Sequence, residues 1–146
     1  MTKMICIAGV ALLFASPANC AESYLGTVIS VIDGDTFRVR TETENIKIRL
    51  CGVDSPERGQ PGYRAATDAL ANMIRGKQVH CLQVGNGTPC DGRSRPTSRD
   101  RSVAQCFIGE KDIAAEMIRL RQTCDWPHFS GGHYRIDAET CTKEGR

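Results

Sequence analysis

At 146 residues the chain has room for one packed domain and is too short for two comfortable ones. Its formal charge of +2, from 19 basic and 17 acidic side chains, excludes a protein that holds polyanions by bulk charge alone. A charge-driven role would therefore have to come from local groups, and one local excess exists where Arg93, Arg95, Arg99 and Arg101 crowd a segment opposed by Asp91 and Asp100.

The first 21 residues read as a secretory leader. An apolar run from Met4 to Ala15 follows Lys3 and passes into Ser16-Pro17-Ala18-Asn19-Cys20-Ala21, with cleavage expected after Ala21. That run is too short for a stable membrane anchor. Residues 22–146 are then expected as one exported domain, periplasmic or secreted, and monomeric. Loss of the leader removes Cys6 and Cys20 and leaves Cys51, Cys81, Cys90, Cys106, Cys124 and Cys141, an even set that fits a disulfide framework of open connectivity. The grouping Cys124, His128, His133 and Cys141 matches no common zinc spacing.

From Tyr24 to Val53 the pattern is β-rich. Thr27 to Ile32 runs into Asp33-Gly34, Thr36 to Arg40 leaves it, and an Asp-Gly step between such runs predicts a hairpin. A third strand follows at Asn45 to Cys51, where alternation with Ile46, Ile48 and Leu50 puts Arg49 on the face away from the apolar residues. The period then changes. Ala65, Ala66, Ala69, Leu70, Met73 and Ile74 recur at helical spacing, with Gly76 placed to stop the helix.

Val79 to Val84 and Val103 to Ile108 read as a fourth and a fifth strand, joined by a long loop rich in Gly, Pro, Ser and Arg. Antiparallel pairing of these two strands would align Cys81 with Cys106 for a bridge. Asp112 is placed to cap a second helix over Ile113 to Leu120, and Ile136 to Glu144 reads as a short third one. The sum is an α+β, mainly β fold: a five-stranded OB-like Greek-key barrel with two or three helices, with a sandwich of similar strand count as the alternative.

One end of such a barrel brings Asp35, Asp54 and Glu57 near one another. Three like charges at close range need a cation or a retained proton, and oxygen ligands suit a hard divalent ion. Arg49, just before that loop, offers a planar fork to a phosphate. Taken singly, each acid reads as a loop-shaping residue, and Asp33 is read that way here; the joint arrangement carries the functional reading.

The strings Val31-Ile32-Asp33-Gly34-Asp35-Thr36, Ile48-Arg49-Leu50 and Gly52-Val53-Asp54-Ser55-Pro56-Glu57 closely resemble the signature of staphylococcal nuclease-like proteins. Gln60-Pro61-Gly62-Tyr63, Ile74-Arg75-Gly76-Lys77 and Arg101-Ser102-Val103-Ala104 continue the likeness in order, from Gly26 to about Trp126. The resemblance implies that Asp35, Asp54 and the main-chain oxygen of Ser55 hold Ca2+ and that Glu57 is the general base. Arg49 and Arg101 would bind the phosphate of a single-stranded DNA or RNA substrate, which is cut to leave a 3′-phosphate.

Trp126, Phe129 and Tyr134 are the aromatic candidates for base stacking; Tyr134 is carried as the substrate-binding residue and Trp126 is read as core. The chain departs from the family at Ser98-Arg99-Asp100-Arg101, where Asp100 stands for the usual glycine and Arg99 for a nucleotide-binding tyrosine. Pairing of Asp100 with Arg101 would weaken the hold on phosphate. That departure favours a second reading, a catalytically weak relative that binds nucleic acid or serves exopolysaccharide (succinoglycan) production.

Overall fold

The structure, a computed structural model, describes residues 22–136. The expected leader, Cys141 and all but the first residue of the expected last helix lie outside the described residues. The long strands are β1 (Ser23–Asp33), β2 (Thr36–Arg40), β3 (Asn45–Leu50), β5 (Gln78–Gln83) and β7 (Arg101–Ile108). Two-residue strands β4 (Val53–Asp54), β6 (Thr97–Ser98), β8 (Lys111–Asp112) and β9 (Cys124–Asp125) lie between them, with helices α1 (Tyr63–Ile74), α2 (Ile113–Arg119) and α3 (Pro127–Ser130).

The five long strands close into a ring. β1 pairs with β5 through Ser23 to Thr27 and with β2 from Thr27 to Asp33, so one strand serves both neighbours. Register shifts between Val28 and Ser30 and between Val31 and Asp33 supply the bend that this double duty needs. β2 pairs antiparallel with β3, β5 antiparallel with β7, and a parallel match of Ile48–Leu50 with Ser102–Ala104 joins β3 to β7. Closure of the ring makes this a mainly β, OB-like barrel, with three helices among the described residues, and rules out the sandwich.

Alternation along each strand sends Val28, Phe37, Val39, Ile48, Leu50 and Val79 into the barrel, where they are almost fully buried. α1 closes one opening with Ala66, Leu70 and Ile74, its buried stripe at helical spacing. Gly76, at a φ of +75°, follows its end as expected. α2 begins at Asp112, whose side chain accepts from the Ala114 and Ala115 amides, and it buries Ile113, Ala114, Met117 and Ile118.

Cys81 and Cys106 face each other in register and are bridged, as the strand pairing suggested. A second bridge joins Cys51, at the end of β3, to Cys90 in the long loop. The two bridges between described residues fit an oxidising, extracytoplasmic compartment. Among the described residues no helix is long and apolar enough to cross a membrane.

Candidate active site

The hairpin turn between β1 and β2 consists of Gly34 and Asp35, since Asp33 pairs with Thr36. Asp35 is therefore in the turn itself. A side chain at Gly34 would meet the Ala66 Cβ at 2.7 Å and the Ser55 Cβ at 2.8 Å, so only glycine lets the turn press against both α1 and the segment after β4. That contact fixes Asp35. Its Oδ2 accepts from the Ser55 amide at 2.9 Å, and its Oδ1 accepts from the Thr36 hydroxyl at 2.9 Å.

Arg49 enters from β3. Its Nη2 lies 3.2 Å from Asp35 Oδ2 and 3.6 Å from Asp54 Oδ1, and its Nη1 donates to the Leu50 carbonyl. The guanidinium and the Asp35 carboxylate are largely buried, with side-chain exposures of 14% and 7%. A buried charge survives only when paired, and this one is paired on two sides. Two carboxylates reaching one guanidinium nitrogen are also close to each other. Burial first, and the Asp35 charge second, push the neighbouring Asp33 carboxyl above its ordinary value.

These groups open on a cleft of about 720 Å³ that is also lined by Ser55, Glu57, Tyr63, Arg101 and Trp126. Glu57 is exposed and its carboxylate has no ion pair among the described residues; its backbone is set by a turn in which its amide donates to Gln60 Oε1 at 2.8 Å. Arg101, half-buried at the start of β7, donates through Nε and Nη2 to the Ser98 carbonyl and hydroxyl at 3.3 and 3.2 Å. Asp100 pairs with Lys47 Nζ at 2.8 Å. The expected pairing of Asp100 with Arg101 is thus replaced by a pairing across to β3.

Asp35, Arg49, Asp54, Ser55, Glu57 and Arg101 all line this one cleft. Tyr134 does not, which corrects its place as the substrate-binding aromatic. It is 3% exposed, and its hydroxyl donates to Asp112 Oδ2 at 3.0 Å beneath α2. Burial comes first among the causes that raise its pKa, followed by the Asp112 charge. Trp126, read as core, is half-buried on the cleft wall, held by its amide to the Gly52 carbonyl at 2.8 Å. Its ring meets Phe129 edge-on at 4.7 Å. The β4–β9 pairing that carries Trp126 there joins segments 70 residues apart, which short-range patterning does not reveal.

Among the described residues no three His, Cys, Asp or Glu side chains gather as a metal site by themselves. The set drawn from the sequence asks for less: two carboxylates and a main-chain oxygen. Asp35 and Asp54 converge on one cationic nitrogen beside the Ser55 turn, and an all-oxygen set of this kind fits a hard divalent cation in type and charge.

Fold and cleft together define a small OB-like barrel with an acid-and-arginine mouth. No family model matches the chain. Curated relatives do match it: an uncharacterized endonuclease of Escherichia coli is 37% identical over 67 residues, 46% of this chain and 43% of the relative. Micrococcal nuclease of Shigella flexneri is 33% identical over 76 residues, 52% of this chain and 42% of the relative. An uncharacterized endonuclease of Haemophilus influenzae is 23% identical over 141 residues, 95% of this chain and 74% of the relative. The matched stretch spans less than half the length of the first two. These relatives and the closed barrel bear out the resemblance to staphylococcal nuclease-like proteins.

Proposed function

We propose that this chain is an exported, calcium-dependent endonuclease that hydrolyses phosphodiester bonds of single-stranded DNA or RNA and leaves 3′-phosphates. The observation that carries the reading is the convergence of Asp35 and Asp54 on Arg49 in a cleft that Glu57 and Arg101 also line. The nuclease names of the relatives support the same chemistry.

A calcium ion held by the Asp35 and Asp54 carboxylates and the Ser55 main-chain oxygen would supply positive charge beside the bound phosphate. The protein's own groups do the rest. Glu57, exposed to the cleft, takes a proton from the attacking water. Arg49 and Arg101 present planar forks to the phosphate oxygens and stabilise the charge that builds as the water oxygen bonds to phosphorus. The 5′-oxygen leaves with a proton from solvent, and the phosphate stays on the 3′ side.

The altered run Ser98-Arg99-Asp100-Arg101 favours a catalytically weak relative; of its two departures, Asp100 is ion-paired to Lys47, while Arg99 still stands where the family carries a tyrosine. The test is product analysis on end-labelled DNA and RNA oligonucleotides, with calcium or with a chelator. Calcium-dependent cleavage to 3′-phosphate ends is expected; folded protein that cuts neither in calcium contradicts the proposal.

A further inference from the structure

We infer that the loop between β5 and β7 carries a second phosphate subsite, formed by Arg93 and Arg95 with Phe129 as a base platform, that holds a single strand beyond the bond being cut. The inference rests on the nuclease reading of the main cleft. Ser94, Ser98 and Phe129 line both that cleft and an adjoining groove of about 460 Å³ whose walls include Arg93 and Arg95. The two depressions thus run into one another, and a chain bound at Arg49 and Arg101 would continue along the arginines.

Charge in the groove is uncompensated. Arg93 and Arg95 are exposed, and neither has an ion pair among the described residues. The nearby acids are committed elsewhere: Asp91 accepts from the Gly85 and Gly87 amides at 2.6 and 2.8 Å and from the Thr88 hydroxyl at 2.7 Å, and Asp100 is on Lys47.

The loop is also fixed. Cys90 is bridged to Cys51, its carbonyl accepts from the Arg93 and Ser94 amides at 3.0 and 2.9 Å, and the Pro96 carbonyl accepts from Gln83 Nε2 and the Val103 amide at 3.0 and 2.9 Å. With the backbone already in place, binding has only the two side chains left to order. Arg93 packs against Gly131, where an added Cβ would sit 2.7 Å from its Nε. Phe129, two residues away, is braced edge-on by Trp126 and His128, each at 4.7 Å. Cations on a fixed backbone beside a braced ring are the combination that holds single strands.

The experiment uses the full chain, Arg93→Gln/Arg95→Gln and Phe129→Ala, with thermal melts confirming that each folds. Anisotropy of a labelled 16-mer of thymidylate in chelator is followed across salt, and kcat/KM in calcium is measured on the 16-mer and on a mononucleotide p-nitrophenyl phosphodiester. Two lost phosphate contacts should lower the slope of log affinity against log salt by about 1.4, with small-ester kcat/KM within about twofold of wild type because the chemical groups are untouched. Phe129→Ala should weaken 16-mer binding roughly 5- to 150-fold.

An unchanged slope in the double variant overturns the proposal. So does an anionic polysaccharide that displaces the 16-mer as well as unlabelled 16-mer does, since the groove would then not select nucleic acid. A lowered slope without hydrolysis of either substrate by wild type would uphold the groove and sink the nuclease reading. Hydrolysis of both substrates with the slope unchanged would do the reverse.

Discussion

Arg49 has two duties that different substitutions separate. It neutralises buried Asp35 and, in the proposed function, it offers a fork to phosphate. Arg49→Ala strips Asp35 of its partner and should cost about 3–5 kcal/mol in urea unfolding. Arg49→Lys keeps a charge there but loses the two-pronged geometry, so a stable protein with kcat down on the order of 10²–10³ is expected. Equal loss of stability in both variants would mean that packing, not charge, holds the site. Asp35, Arg49, Asp54, Glu57 and Arg101 were legible as a group because two short strings carry most of them. Tyr134 was not, because nothing local in His133-Tyr134-Arg135 says that its hydroxyl will reach Asp112, 22 positions earlier.

At the scale of elements, period-two and helical spacing marked the five long strands, α1 and α2, since each buries one face. Invisible were β6, the β4–β9 pair and the Cys51–Cys90 bridge, all of which depend on where distant segments land. That bridge closes a span of 39 residues and ties the long loop to the cleft rim. Replacing both cysteines by alanine should cost roughly 2–4 kcal/mol and open the 85–100 segment to limited proteolysis; a loop that stays resistant would show that Asp91 and the Pro96 bonds suffice. Asp91→Ala tests those bonds from the other side, at roughly 1–3 kcal/mol.

For the whole molecule, stability should change with pH at both ends. Burial would raise Asp91, but hydrogen bonds from Thr88, Gly85 and Gly87 outweigh it and hold the carboxyl below 3.8. The Lys47 hydrogen bond lowers Asp100, and the Arg119 hydrogen bond lowers Glu116. These three stabilise the fold fully above their unfolded values near 3.8 and 4.5, and less as acid protonates the folded carboxylates. Asp33, raised chiefly by burial, acts oppositely: its contribution fades as pH climbs above 3.8, so Asp33→Asn should remove a downward trend there. Burial of Tyr24 pushes its hydroxyl up to about 12, so unfolding free energy should fall as pH rises from 10 toward 12. Urea melts across pH check both limbs.

The proposed function requires that Glu57, exposed in the cleft and without an ion pair among the described residues, act with the Asp35–Arg49–Asp54 cluster as one site. Its most direct measurement is kcat for a single-stranded DNA oligonucleotide in saturating calcium, wild type beside Glu57→Gln. A fall of roughly 10²–10⁴ with an unshifted melting temperature is the predicted result. Equal rates in the two proteins would contradict it.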